Sequence, residues 1–291
     1  MKSLISSGGL AALTISALLA MNCNCEKEAA EYIGPSDIEI TDGKMTPEVL
    51  LSFGRLSDPQ LSPDGKTILY GVSYTSIEDN RTCRNLFVVN VDGTSPRQLT
   101  KDGKSISCAR WTNGNTITYI QGGQIWKATV RGLSGDNPKL VKRTQLSNVP
   151  NGIGEFKLSP DEKSLMYISY VKSDVKTAKD SDPKLDKADA YVAEDLMYRH
   201  WDHWVTELPH TFVAKLGSEI TPDNSIDILA NEEKLYELPT EPHGGLEQLD
   251  WTPDGKYIAY SCKKKTGKEY AFSTNTEIYI YNVADGTCTV I

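Results

Sequence analysis

The stretch Leu61-Ser-Pro-Asp-Gly-Lys-Thr-Ile-Leu-Tyr70 decides the fold, because copies of it return along the chain. Two close copies are Leu158-Ser-Pro-Asp-Glu-Lys-Ser-Leu-Met-Tyr167 and Trp251-Thr-Pro-Asp-Gly-Lys-Tyr-Ile-Ala-Tyr260. A degraded copy, Trp111-Thr-Asn-Gly-Asn-Thr-Ile-Thr-Tyr119, is one residue shorter. The closing tyrosines lie 49, 48 and 93 residues apart. The last interval is close to twice the others, so it contains either a hidden repeat or an insertion.

Each copy predicts a turn followed by a strand. In Ser/Thr-Pro-Asp-Gly, proline fixes φ, the aspartate side chain caps the turn and glycine adopts a positive φ. The residues that follow alternate between apolar and polar and end in tyrosine, which is typical of a half-buried strand. A second strand signal comes next, twice before an Asp-Gly hairpin turn. These second strands are Leu86–Val91, Ile125–Val130 and Ile278–Val283, and 96–100 is expected to form a short edge strand.

Four strands in a repeat of about 40–50 residues are typical of a β-propeller blade. We therefore predict an all-β fold, a β-propeller with about four WD40-like blades in an incomplete ring and one inserted helix. A segment over 26–53 precedes the blades and carries a short helix, with Thr46 as its N-cap and Pro47 at its first position. The propeller covers 54–291, with blades at about 54–100, 101–149, 150–243 and 244–291. Since 291 falls in mid-blade, we expect the front part of a longer protein.

The third blade contains about 45 residues more than the others, and we interpret them as an insertion. Residues 172–187 are polar and are expected to form an exposed loop. Residues 188–198 (ADAYVAEDLMY) contain good helix formers and no helix breaker, so a helix is predicted there. The segment Arg199-His-Trp-Asp-His-Trp204 follows. A further strand is expected at about 210–216.

The insertion holds the densest chemistry of the chain. Glu194 and Asp195 are either a solvated helix face or a pair that binds a cationic group through charged hydrogen bonds. The neighbouring aromatic side chains either anchor the helix or line a pocket. His200 and His203 have metal-ligand spacing, but no third ligand has a recognisable spacing, so we predict no metal site and no cofactor.

Composition excludes several classes of function. The chain has 291 residues, of which 39% are hydrophobic and 24% are charged, as in a globular protein. The net charge is -8, and the only dense basic stretch is 263–265, so nucleic-acid binding is not expected. The sequence contains no G-x-S-x-G, Walker, G-x-G-x-x-G or H-E-x-x-H motif, and thus no catalytic machinery of those kinds.

The N-terminus predicts export. Lys2 precedes the apolar run 10–21, which is long enough for a signal peptide and too short for a transmembrane segment. We expect a signal peptide over 1–25 and a periplasmic or secreted protein. Cys23 or Cys25 is a candidate for lipid attachment. The remaining cysteines either form disulfides, with three pairings open, or stay free: Cys83, Cys108, Cys262 and Cys288.

Several of these segments together resemble the prolyl oligopeptidase family of serine peptidases. They are the turn–strand repeats, Leu86–Thr100, the opening Met45-Thr-Pro-Glu48 and Tyr198-Arg-His-Trp-Asp-His-Trp204. The nearest branch is that of the secreted bacterial dipeptidyl and acylaminoacyl peptidases. The periplasmic TolB propeller shares the repeats, but the inserted segment favours the peptidases.

The resemblance implies a propeller of seven or eight blades over a C-terminal α/β-hydrolase domain with a Ser-Asp-His triad. No position of this sequence matches that triad, so whether this chain alone is an enzyme is left open. In dipeptidyl-peptidase members an acidic pair holds the amino terminus of the peptide. Glu194 and Asp195 match that pair, although the second acid there is Glu, and Tyr198, Arg199 and Trp201 are expected to complete the substrate site.

Two functions are therefore expected. The first is the substrate-gating propeller of a secreted serine exopeptidase, which releases dipeptides or blocked residues from short peptides together with a missing hydrolase domain. The alternative is a non-catalytic, TolB-like propeller that binds protein partners. The sequence leaves open whether the chain forms a homodimer.

Overall fold

The computed structural model describes residues 31–291, and the predicted signal peptide and both candidate lipidation cysteines lie outside that range. A short helix, α1 (Pro47–Ser52), precedes the sheets, and the Thr46 side chain caps it by accepting a hydrogen bond from the Val49 N–H. The first two sheets follow in chain order. Their strands are β1 (Arg55–Leu61), β2 (Thr67–Ser76), β3 (Arg81–Asn90) and β4 (Arg97–Gln98), then β5 (Ile106–Trp111), β6 (Thr116–Gln121), β7 (Gln124–Arg131) and β8 (Lys139–Gln145).

The third sheet is interrupted by an insertion. It begins with β9 (Phe156–Leu158) and β10 (Ser164–Lys172). Residues 173–206, called the insertion from here on, then leave the sheet. They form β11 (Lys176–Thr177), α2 (Ala178–Ser181), a 3-10 turn (Pro183–Leu185), β12 (Tyr191–Val192), β13 (Arg199–His200) and β14 (His203–Trp204). The sheet resumes with β15 (Glu207–Lys215), a 3-10 turn (Pro222–Asn224) and β16 (Ser225–Asp227).

The fourth sheet completes the described fold. A 3-10 turn (Leu246–Gln248) leads into β17 (Leu249–Trp251) and β18 (Tyr257–Cys262), and α3 (Gly267–Phe272) separates these from β19 (Glu277–Asn282) and β20 (Cys288–Val290). All four sheets are antiparallel and four-stranded, and each keeps its strands in chain order. The predicted fold class, a four-bladed β-propeller arrangement, is confirmed.

The repeated turn has one geometry in three blades. Its hydroxyl side chain donates to the following aspartate at 2.6–2.7 Å and accepts the backbone N–H five residues later. These hydrogen bonds satisfy polar groups at the hairpin end, and the one from the hydroxyl lowers the pKa of each aspartate. The pairs are Ser62–Asp64, Ser159–Asp161 and Thr252–Asp254.

Apolar clusters lie between neighbouring blades. One joins the first and second sheets, a second the second and third, and a third the third and fourth. Two tryptophans, each on the first strand of its sheet, add hydrogen bonds between blades. Trp111 donates to the Gln60 carbonyl, and Trp251 donates to the Lys157 carbonyl, both at 3.3 Å. Each blade is therefore held mainly by the blade beside it.

The helix predicted over 188–198 is wrong. Tyr191 and Val192 instead pair with Thr177 and Lys176 in a two-stranded ladder, and 193–198 has no regular secondary structure. The helix of the insertion is α2, fixed by a capping box between Thr177 and Asp180. The stretch 172–187, expected to be a loop, thus carries structure of its own.

Among residues 31–291, all four cysteines are free: Cys83 and Cys262 are buried, Cys108 is half-buried and Cys288 is exposed. No helix in that range is long and apolar enough to cross a bilayer. The same residues contain no cluster of three or more His, Cys, Asp or Glu side chains arranged to hold a metal ion.

Candidate binding site

A cavity of about 670 Å³ lies between the insertion and the fourth blade. Most of its lining comes from three separate segments: the insertion, residues 233–237 of the link between the third and fourth blades, and residues 265–270 at the start of α3. Leu208 of β15 completes it. The cavity therefore exists only where an interruption of the repeat meets the next blade.

Acidic, basic and apolar residues all line this cavity. Five carboxylates and three lysine ammonium groups belong to lining residues. The amino group of Lys265 is engaged by Glu269 at 2.8 Å, and that of Lys234 donates to the Thr266 hydroxyl at 3.3 Å. The acids are Asp174, Glu194, Asp195, Glu233 and Glu237. Carboxylates therefore outnumber ammonium groups in the lining, and apolar side chains lie among them.

Glu194 and Asp195 both lie in the insertion wall. Asp195 accepts the Leu196 N–H at 2.8 Å, and its carboxylate lies directly against Gly267 at the start of α3. Among the described residues, neither acid forms an ion pair within 4.0 Å, and Glu194 accepts no hydrogen bond. Both carboxylates thus remain available to a charged donor.

The structure brings together only some of the residues predicted to form the substrate site. Tyr198 lines the cavity beside the two acids, whereas Arg199 and Trp201 do not. The Arg199 guanidinium lies over the Trp204 ring, 5.2 Å from its centroid. Trp201 occupies the tip of the β13–β14 hairpin, is 77% exposed and contacts the His243 ring edge-on. These two side chains therefore belong to the outer surface of the insertion.

Trp204 packs within the insertion rather than lining the cavity. Its ring lies 5.0 Å from that of Tyr191 and 6.0 Å from that of Tyr198, centroid to centroid. Tyr198 therefore joins this aromatic cluster to the cavity wall, and packing on Trp204 fixes where that wall lies.

Sequence reasoning missed a buried polar network at the base of the cavity. The Glu237 carboxylate lies 2.7 Å from His200 Nε2 and accepts the Tyr270 hydroxyl at 2.7 Å. His200 and Glu237 are both buried, and the hydrogen bond that the Glu237 carboxylate accepts raises the pKa of the His200 imidazole. Burial, reinforced by the Glu237 charge, raises the pKa of Tyr270. The three residues are far apart in sequence, so no local motif could have revealed them.

Comparisons with known proteins place this geometry in context. The chain is 38% identical over 280 residues to dipeptidyl-peptidase 5 of Porphyromonas endodontalis, a match that covers 94% of the chain and 39% of that protein. It is 39% identical over 266 residues to dipeptidyl-peptidase 5 of Porphyromonas gingivalis, covering 89% of the chain and 37% of that protein. The chain is thus homologous to a portion of dipeptidyl-peptidase 5. The resemblance stated from the sequence is confirmed.

The chain spans about 39% of the length of the first of these relatives. The acylaminoacyl peptidase of Pyrococcus horikoshii has a similar fold, with a TM-score of 0.53 at 16% identity; the match covers 83% of this chain and 32% of that one. No model of a known protein family matches the chain.

Proposed function

We propose that this propeller is the substrate-gating portion of a secreted serine exopeptidase that releases dipeptides from short peptides. The observation that carries the proposal is that Glu194 and Asp195, which have no ion-pair partner among the described residues, line a cavity together with apolar side chains. The homology to dipeptidyl-peptidase 5 supports the same reaction class. Export through a signal peptide over 1–25 is part of the proposal.

In this proposal the cavity sets the register of cleavage. The α-ammonium group of the peptide binds to Glu194 and Asp195. The apolar lining residues beside Tyr198 receive the first side chain. The scissile bond is then presented at a fixed distance to a serine nucleophile in an α/β-hydrolase domain. That serine forms an acyl-enzyme, and an oxyanion hole stabilises the tetrahedral intermediate.

Calorimetric titration of the chain with Ala-Phe amide and its N-acetyl form tests the proposal. We expect the free-amine peptide to bind at least tenfold more tightly, because acetylation removes the charge that the acids hold. A charged hydrogen bond contributes about 1.5–3 kcal/mol. Glu194→Gln should therefore weaken binding of the free-amine peptide about tenfold to a hundredfold and leave the acetylated peptide unchanged.

Asp189→Asn is the matched control. Asp189 is an exposed acid of the same insertion and does not line the cavity. The variant makes the same change in net charge, so it should bind both peptides as the unmodified chain does. Equal affinity of the unmodified chain for both peptides, or equal losses in the two variants, would refute the proposed role of Glu194.

A further inference from the structure

We propose that Glu237 is the positioning residue of the cavity, and that its carboxylate fixes the insertion wall so that Glu194 and Asp195 face the substrate amine. This inference rests on the proposed function and assigns a role to a residue outside the acidic pair. It makes the shape of the binding site depend on one buried group in the link between the third and fourth blades.

The Glu237 carboxylate joins three segments of the chain. Its Oε1 atom pairs with His200 of β13 at 2.7 Å, and its Oε2 atom accepts the Tyr270 hydroxyl of α3 at 2.7 Å. The Glu241 N–H also donates to Oε2 at 3.3 Å. The Glu237 backbone carbonyl accepts the Cys262 thiol of β18 at 3.4 Å. One residue thus connects the insertion, the link between blades and α3.

The contact with His200 has no substitute. Among the hydrogen bonds and ion pairs of residues 31–291, it is the only one that links the insertion to a residue outside it. The insertion is otherwise held to the propeller by its two ends and by packing. Since the acidic pair lies within the insertion, loss of this bond would leave its placement against 265–270 to the two ends and to packing alone.

Glu237 positions the site and does not bind substrate in this proposal. Both of its oxygens are already occupied by protein donors, and the residue is only 6% exposed. The raised pKa of His200 agrees with this arrangement, since a carboxylate beside the ring favours the proton on the imidazole. A buried carboxylate with satisfied donors orients its neighbours rather than a ligand.

Two substitutions separate positioning from direct binding. Glu237→Gln keeps the shape of the side chain and can still accept the Tyr270 hydroxyl and donate to neutral His200. We expect it to bind Ala-Phe amide within about threefold of the unmodified chain. Glu237→Ala removes both contacts and should lower affinity for the free amine at least tenfold, while N-acetyl-Ala-Phe amide binds as before. If both variants lost affinity for Ala-Phe amide equally, the Glu237 charge itself would bind the amine, and the inference would be overturned.

Asp227→Ala is the matched control, because Asp227 forms a similar but only partly buried pair with His210 Nδ1, at 2.7 Å, and does not line the cavity. It should lower the melting temperature and leave the preference for the free amine intact. A preference that Asp227→Ala and Glu237→Ala reduce equally would make Glu237 merely structural.

If the Glu237→Ala variant does not fold, Tyr270→Phe is used in its place. It removes one hydrogen bond to the carboxylate with little change in volume, and we expect the preference for the free amine to fall about threefold or more. An unchanged preference for the free amine in Tyr270→Phe or Glu237→Ala would refute this inference and leave the proposed function standing. The absence of any preference in the unmodified chain would refute the proposed function, and the inference with it.

Discussion

At the scale of single residues, the Asp195 carboxylate lies where it does because Gly267 has no side chain. Gly267 has a φ of +59°, and a Cβ atom at this position would lie 2.9 Å from the Asp195 carboxyl carbon. That distance is well below van der Waals contact, so the Asp195 carboxylate occupies space that only glycine leaves free. The backbone of α3 therefore forms part of the proposed amine site.

Gly267→Ala should displace the Asp195 carboxylate and weaken binding of Ala-Phe amide about tenfold, as measured by calorimetry. Gly65→Ala is the control, because Gly65 has a similar φ of +69° and a Cβ atom placed there would meet no neighbour within 4 Å. Both variants should lose about 1–2 kcal/mol of stability to backbone strain. Equal peptide affinity in the two variants would show that contact with Asp195 does not matter.

At the scale of elements, contacts between the first strands of neighbouring sheets help to hold the blades together. Trp111→Phe and Trp251→Phe each remove one side-chain hydrogen bond to a carbonyl of the preceding blade, from Gln60 and Lys157 respectively. We expect each to lower the free energy of unfolding by about 1–2 kcal/mol in urea titrations followed by circular dichroism.

Trp201→Phe provides the comparison for those two variants. Trp201 is 77% exposed at the hairpin tip, so its replacement should change stability by less than about 0.5 kcal/mol. If all three variants unfolded at the same urea concentration, the hydrogen bonds of Trp111 and Trp251 would contribute nothing to the contact between blades.

The repeated turns could be predicted because their chemistry is local. Ser62, Asp64 and Gly65 lie within four residues and specify one hydrogen-bonded turn without help from the rest of the chain. The same holds for α1, where Thr46 and Pro47 mark the first turn.

The insertion could not be predicted in this way. Residues 188–198 have helix-forming residues, but an isolated helix of that length is marginal in water. Pairing of Tyr191 with Thr177 and packing of Tyr198 on Trp204 stabilise an irregular conformation instead. Tertiary contacts therefore overrode the intrinsic helix propensity, and only the existence of the interruption was visible from the repeat spacing.

At the scale of the whole molecule, the site forms where a break in the repeat meets the following blade. Glu194 and Asp195 come from the insertion, Glu237 from the link between blades, and Gly267 and Tyr270 from α3. The sequence indicated Glu194, Asp195 and Tyr198 because they are close together and match a known motif. It could not indicate Glu237, Gly267 or Tyr270, since their proposed roles arise only from the packing of distant segments.

A crystal structure of this chain with bound Ala-Phe amide tests the central claim most directly. We predict that the peptide lies in the cavity of the insertion, with its ammonium nitrogen within about 3.2 Å of a carboxylate oxygen of Glu194 or Asp195. Its first side chain should pack on the apolar lining residues beside Tyr198. A peptide bound elsewhere on the propeller, or bound in the cavity with its amino group turned away from both acids, would contradict the account.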